Sequence, residues 1–220
     1  MTQPTGVFGL TERQLLKVHD ALRAPVSIST KGMAVRDAVQ QLTTGLDIPV
    51  QIDTRAATAM LAPEKVRDEL RGVSRGTALV AVIRPLGLDL TAATHGGGQI
   101  VLRIVRSGER SERWPLGWKP RKSPAQLAPA LFNFVPVEIK DTPLNEALAA
   151  LQQRTHVPIL FDHNGLAKRE VDLARKVSLR PTKTFYKKII DRLLFQAKLR
   201  ADLRVDEAGH PLLWVTPLGP

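Results

Sequence analysis

The sequence contains no cysteine among its 220 residues, which excludes disulfides, thiolate zinc sites, iron–sulfur clusters and cysteine nucleophiles. Aromatic residues make up only 5%, so the core must consist mainly of aliphatic side chains. No apolar run approaches the roughly 18 residues that a membrane-spanning helix needs, so we expect no such helix. The N-terminus lacks a basic region followed by an apolar one, which fits a cytoplasmic protein or one whose signal peptide has been removed.

The hydrophobic share of 43% and the charged share of 24% are ordinary for a globular protein, but the charge is unbalanced, with 32 basic against 21 acidic residues. A net charge of +11 favours anionic partners such as nucleic acid, anionic lipid or acidic protein. The alternative is that the basic surface serves only solubility.

Two segments of the chain resemble each other. Val26–Asp53 aligns with Val135–Asp162 at a shift of 109, with six identities in 28 positions and nearly all apolar positions matched. After an insertion of two residues the match resumes at a shift of 111, where Val66 meets Val177. Repeated units of this kind indicate a duplicated small domain.

Each copy predicts the same order of elements. Alternation at Val26–Thr30 and at Val135–Ile139 predicts a strand, and apolar spacings of three and four predict the helix that follows. A proline-led strand, a third strand near 66–70 or 177–179, a second helix and a closing hairpin complete a βαββαββ module. In the second copy, Thr142 and Pro143 have the composition of an N-cap and first-turn pair. The predicted fold class is therefore α+β, with two tandem modules.

A helix of residues 12–22 precedes the first copy, with a capping box formed by Thr11 and Gln14. The predicted organisation is an N-terminal helix in 1–25, a first module in 26–105, a linker in 106–130 and a second module in 131–220. The linker is basic and carries prolines and two tryptophans, so we expect it to be partly ordered.

The segment Lys140–Leu148, reading KDTPLNEAL, together with Gly72–Leu79 and Arg84–Leu88, resembles the short N-terminal domain of secretins and TonB-dependent receptors, the STN domain. The resemblance covers about Val26–Ile104 and Val135–Thr216. It implies a non-catalytic docking module in the periplasm or cell envelope that contacts proteins of a secretion or signalling system. The chain lacks the long strands of a pore and a receptor plug, so the partner is left unnamed.

Gly72–Gly76 matches the Gly-x-Ser-x-Gly nucleophile elbow, with Ser74 as the candidate nucleophile. The competing interpretation is that Ser74 caps the second helix of the module, and the repeat places Phe185 at the matching position. The five histidines show no helical metal spacing. We therefore expect no catalytic residue, no metal and no cofactor.

Basic and aromatic residues gather in the linker and form the candidate partner-binding set: Arg106, Arg110, Arg113, Trp114, Trp118, Lys119, Arg121 and Lys122. Such a set suits an acidic protein or, by stacking and phosphate contact, single-stranded nucleic acid. The alternative function is therefore a cytoplasmic nucleic-acid-binding protein of KH-like α+β type. KH modules need Gly-x-x-Gly between two helices, whereas Gly96–Gly98 lies between predicted strands.

Overall fold

The computed structural model describes residues 7–109 and 112–219. It divides into two compact units. The first holds the described residues up to Trp118 together with Asp206–Gly209, and the second holds Lys119–Val205 and the described residues from His210 onward. Helices and small mixed sheets occur in both, which confirms the α+β class. The division falls inside the predicted linker.

The first unit combines helices with one three-stranded sheet. Its strands are ordered β1-β3-β2, with β1 parallel and β2 antiparallel to β3. Glycines 96–98 form the tip of the β2–β3 hairpin, as predicted. The elements are α1 (Glu12–Leu22), α2 (Val35–Thr43), β1 (Val50–Ile52), α3 (Thr54–Ala59), α4 (Arg75–Ile83), β2 (Leu88–His95) and β3 (Gln99–Arg106).

The N-terminal helix α1 begins and ends at the predicted residues. The Thr11 hydroxyl accepts the Gln14 N–H, and the Gln14 side chain accepts the Thr11 N–H, which forms the predicted capping box. This arrangement satisfies two of the N–H groups that a helix start leaves without intrahelical partners. Val18 and Leu22 lie on the buried face of the helix.

The predicted strands at Val26–Thr30 and Val66–Leu70 are not regular strands in the first unit. Pairing there is reduced to two isolated bridges, Pro25 with Ser74 and Ala34 with Lys65. Side chains take the place of a ladder: the Thr30 hydroxyl accepts the Leu70 N–H, and the Glu69 carboxylate accepts the Thr30 N–H. Because side chains satisfy these backbone groups, no continuous strand pairing is required.

The second unit contains a two-stranded sheet, β4-β6, and a three-stranded sheet ordered β5-β8-β7. Its core is aliphatic and is built mainly from the inner faces of two helices, α6 and α8. The elements are α5 (Pro124–Leu127), β4 (Phe134–Pro143), α6 (Leu144–Thr155), β5 (Ile159–Phe161), α7 (His163–Lys168), β6 (Lys176–Phe185), α8 (Tyr186–Gln196), β7 (Leu199–Val205) and β8 (Pro211–Pro217).

The prediction that Thr142 and Pro143 begin a helix as N-cap and first residue is wrong. Both residues belong to β4, and α6 begins at Leu144 without a side-chain cap. The first N–H groups of α6, from Leu144 and Asn145, bond to the carbonyls of Arg175 and Leu173. Backbone carbonyls from a neighbouring segment thus replace the cap that the sequence suggested.

The three-stranded sheets of the two units share their strand order and their register. In the first, Val50 pairs with Leu102, and in the second Ile159 pairs with Leu213, at the shifts of 109 and 111 that align the repeat. The first unit has no strands that match β4 and β6 among its described residues. Duplication of a complete βαββαββ module therefore stays a prediction.

Candidate partner-binding site

The predicted partner-binding residues are divided between the two units. Arg106, at the end of β3, and Arg113 are exposed in the first unit, whereas Arg110 lies outside the described residues. The remaining three cations lie exposed in the second unit; they are Lys119, Arg121 and Lys122. Within the first unit, the rings of Trp114 and Trp118 are in contact.

Trp114 belongs to the core of the first unit. Its side chain is 2% exposed and its ring stacks on Phe8, with centroids 5.4 Å apart. The rings of His19 and Trp118 lie 5.0 and 5.1 Å from it. Burial therefore removes Trp114 from the candidate surface, because its faces already contact protein. The same burial lowers the pKa of His19, against the opposing effect of the Asp20 charge.

The buried indole of Trp114 reaches a carboxylate supplied by the Asp206–Gly209 segment of the same unit. Trp114 Nε1 donates to Glu207 Oε1 at 2.7 Å, and the Thr77 N–H and hydroxyl both donate to Oε2 at 3.0 Å. Gly76 provides the space, since a Cβ there would lie 2.6 Å from Glu207 Oε1. Burial raises the pKa of Glu207, and the bonds from Trp114 and Thr77 partly oppose that rise.

Ser74 occupies the N-cap position of α4 but does not cap the helix with its side chain. Its hydroxyl donates to the Arg23 carbonyl, while its own N–H donates to Asp206 Oδ2 at 2.9 Å. Asp206 thus accepts the N–H of the N-cap residue Ser74, and Glu207 accepts that of Thr77, the third residue of α4, at the helix end where the dipole favours negative charge. The prediction that the Ser74 side chain is the cap is wrong. At 1% exposure, Ser74 is also shielded from solvent.

The basic charge of the chain is concentrated in the second unit. The first unit holds 15 basic and 13 acidic residues, whereas the second holds 17 basic and 8 acidic residues. The net charges are therefore +2 and +9. An anionic partner is attracted mainly to the second unit.

A groove of about 770 Å³ lies between β6 and α8 in this basic unit. Residues 178–182 of β6 form one wall. The outer face of α8 forms the other, with Lys188, Arg192 and Phe195 at spacings of four and three that place them on one helix face. The opposite, apolar face of α8, which includes Ile190 and Leu193, is buried in the core. We call this feature the β6–α8 groove.

The groove combines unpaired cations with an exposed aromatic ring. Arg180, Lys188 and Arg192 are exposed, and no ion pair of theirs occurs in the described part of the chain. Phe195 is 70% exposed. The acidic residue in the lining, Asp191, is engaged by Lys187.

The candidate set taken from the sequence contains neither Phe195 nor Arg180, although the sequence contains a signal for Phe195. Phe195 lies off the apolar face that Ile190, Leu193 and Leu194 define, and an aromatic residue on a polar helix face has no core role. Arg180 carries no such signal, because only the packing of β6 beside α8 brings it to the groove.

Comparisons with protein-family models, curated proteins and solved structures find no match. Among residues 7–109 and 112–219, no helix is long and apolar enough to cross a bilayer. The same ranges contain no group of three or more histidine, aspartate or glutamate side chains placed to hold a metal ion.

Proposed function

We propose that this protein is a non-catalytic docking module that binds an acidic segment of a partner protein in the β6–α8 groove. The observation that carries the proposal is the exposed Phe195 beside three unpaired cations in an open groove. A large exposed apolar side chain in a basic setting suits a segment that carries both acidic and apolar residues. The resemblance of Lys140–Leu148 to STN domains supports a role in a bacterial cell-envelope secretion or signalling system.

Protein is favoured over nucleic acid as the occupant. Binding of single strands rests on aromatic rings that stack successive bases beside a basic track. The groove offers one ring, Phe195, and Trp114 of the linker is buried. Leu179 and Pro181 add apolar surface to the β6 wall. These side chains suit apolar residues of a peptide better than they suit a chain of phosphates.

Fluorescence anisotropy with two defined probes tests the proposal. One probe is a labelled peptide of about ten residues that alternates glutamate with valine, and the other is a dT oligonucleotide of similar length. We expect the peptide to bind at about 150 mM salt and the oligonucleotide to bind weakly. Tight oligonucleotide binding without peptide binding, with log affinity falling linearly with log salt, would replace the docking function by the nucleic-acid alternative.

Two triple charge reversals separate the groove from the linker. Replacing Arg180, Lys188 and Arg192 by glutamate should weaken peptide binding by about tenfold or more, because complementary charge becomes repulsion. The matched control reverses Lys119, Arg121 and Lys122, which carry the same charge in the same unit, and should change affinity less than about twofold. Equal losses from both variants would assign the binding to net charge rather than to the groove.

A further inference from the structure

The side chain of Gln196 pairs with the backbone of β6 as another strand would. The Ser178 N–H donates to Gln196 Oε1 at 3.1 Å, and Gln196 Nε2 donates to the Ser178 carbonyl at 2.9 Å. A carboxamide has the same donor and acceptor as a peptide group. Gln196 therefore occupies, with one side chain, the hydrogen-bonding position that a neighbouring strand would take.

This position lies on the edge of β6 that faces away from β4. Within the described residues β6 pairs with β4 alone. Val177 and Leu179 have β4 partners Thr142 and Ile139, with a register shift between them, and the backbone N–H and carbonyl of the intervening Ser178 bond to the Gln196 side chain. Unpaired edges of this kind accept extended peptides, and proteins commonly cover them.

The edge that Gln196 covers is short. The β4–β6 register shifts between the pairs Ile139–Leu179 and Val137–Thr182, so the regular alternation of edge groups is interrupted after Arg180. Gln196 itself is exposed at the last residue of α8, where one side-chain rotation moves its amide away from the edge. The cover is therefore local, and moving it requires no change in the core.

We propose that the partner segment joins β6 as an added strand and takes over the hydrogen bonds that Gln196 now makes to Ser178. This inference rests on the docking function proposed above and names how the groove holds its partner. An added strand would run along residues 176–180, between the β6 edge and the outer face of α8. Acidic side chains of that strand would meet Arg180, Lys188 and Arg192, and its apolar side chains would meet Phe195.

Two bonds to Ser178 are exchanged for two, and Gln196 gives up one further, longer bond of 3.3 Å to the Arg192 carbonyl. Gln196 therefore adjusts the affinity rather than deciding whether binding occurs. Gln196→Ala removes the competitor and leaves the Ser178 N–H and carbonyl open to the peptide. We expect the Glu/Val peptide to bind this variant about threefold to tenfold more tightly than the wild type. Gln153→Ala, an exposed glutamine of α6 in the same unit, is the matched control and should leave affinity unchanged.

Backbone methylation of the peptide tests strand addition directly. One analogue carries N-methyl groups on every valine and the other on every glutamate, so each blocks one edge of the extended peptide. Both keep the charge and the side chains of the parent peptide. Strand addition predicts that one analogue loses about tenfold or more in affinity while the other binds nearly as the parent does.

The outcomes distinguish this inference from the docking function. If both methylated analogues bind like the parent peptide, or if Gln196→Ala binds it no more tightly than the wild type, strand addition is wrong and docking in the groove still holds. If the parent peptide does not bind while the oligonucleotide does, the docking function itself is wrong.

Discussion

Trp114 and Glu207 are joined by a hydrogen bond of 2.7 Å from the indole Nε1 to the carboxylate Oε1, across 93 positions of sequence. The bond fixes a residue of the predicted linker and a residue of the β7–β8 turn within the same unit. It also satisfies the indole N–H, which burial of the Trp114 side chain removes from water.

Gly76→Ala should destabilise the first unit although alanine is the better helix former. The new Cβ would lie 2.6 Å from Glu207 Oε1 and 3.0 Å from Leu22 Cβ, so the carboxylate must leave Trp114 and Thr77. We expect a net loss of about 1–3 kcal/mol in the free energy of unfolding, measured by urea denaturation. In a Glu207→Ala background the same substitution should cost clearly less; an unchanged cost there would assign the effect to Leu22 alone.

Glu207 should make stability fall as pH rises. Burial raises its folded-state pKa above the ordinary value of 4.5, so the unfolded chain loses the proton first. The stabilisation is complete below that ordinary value and disappears as pH rises through the folded-state pKa. Glu207→Gln removes this titration and should flatten the profile above about pH 4.5.

The pH dependence of wild-type stability has to be compared with that of Glu207→Gln, because His19 changes stability with pH in the opposite direction. Its lowered pKa means that stability falls as pH drops below the ordinary value of 6.5. Urea denaturation of wild type and Glu207→Gln across this range isolates the Glu207 contribution. A wild-type profile parallel to that of the variant would contradict the prediction.

Asp206→Ala should cost more than Ser74→Ala. Asp206 supplies a charged acceptor to the buried N–H of Ser74, and its loss leaves that N–H without this partner. We expect about 1.5–3 kcal/mol for Asp206→Ala. Ser74→Ala removes weaker contacts to Arg23 and Ala208, at 3.3 and 3.2 Å, and should cost about 0.5–1.5 kcal/mol. The reverse order in thermal or urea denaturation would contradict the prediction.

Thr30→Val should destabilise the first unit despite its nearly equal volume. The Thr30 side chain is fully buried; its hydroxyl accepts the Leu70 N–H at 2.9 Å and donates to the Asp68 carbonyl at 3.0 Å. Valine leaves the Leu70 N–H buried without this partner, at a cost of about 1–3 kcal/mol. Thr30→Ser keeps the hydroxyl and should cost less; a Thr30→Val variant as stable as the wild type would show that the hydroxyl does not hold this segment.

The helices and hairpins were predictable because their signals are local. The capping box at Thr11, the apolar face of α6 that includes Leu144 and Leu148, and the glycine tip between β2 and β3 each depend on residues within a few positions. Periodicity and capping act over one or two turns of chain, so the sequence alone determines them. The α+β class follows from the alternation of these elements along the chain.

The environment of the candidate partner-binding residues was only partly predictable. The structure describes seven of the eight candidate residues, and five of these are exposed cations. The other two are tryptophans: Trp114 is buried in the core, and Trp118 packs on His19 and Trp114. A tryptophan beside prolines and arginines has the same sequence signature whether it binds a partner or packs inward. Burial decides between these roles, and burial depends on residues such as Phe8 that lie far away in the chain.

The amino-acid sequence by itself determined the class of fold, the positions of most helices and the excess of basic charge. The tertiary structure alone decided that Asp206 and Glu207 cap α4, that side chains replace strand pairing at Thr30, and that Gln196 covers the edge of β6. The physical reason is the distance along the chain over which each interaction acts. A local pattern fixes a backbone conformation, whereas a hydrogen bond between residues 18 to 132 positions apart exists only once packing has brought its partners together.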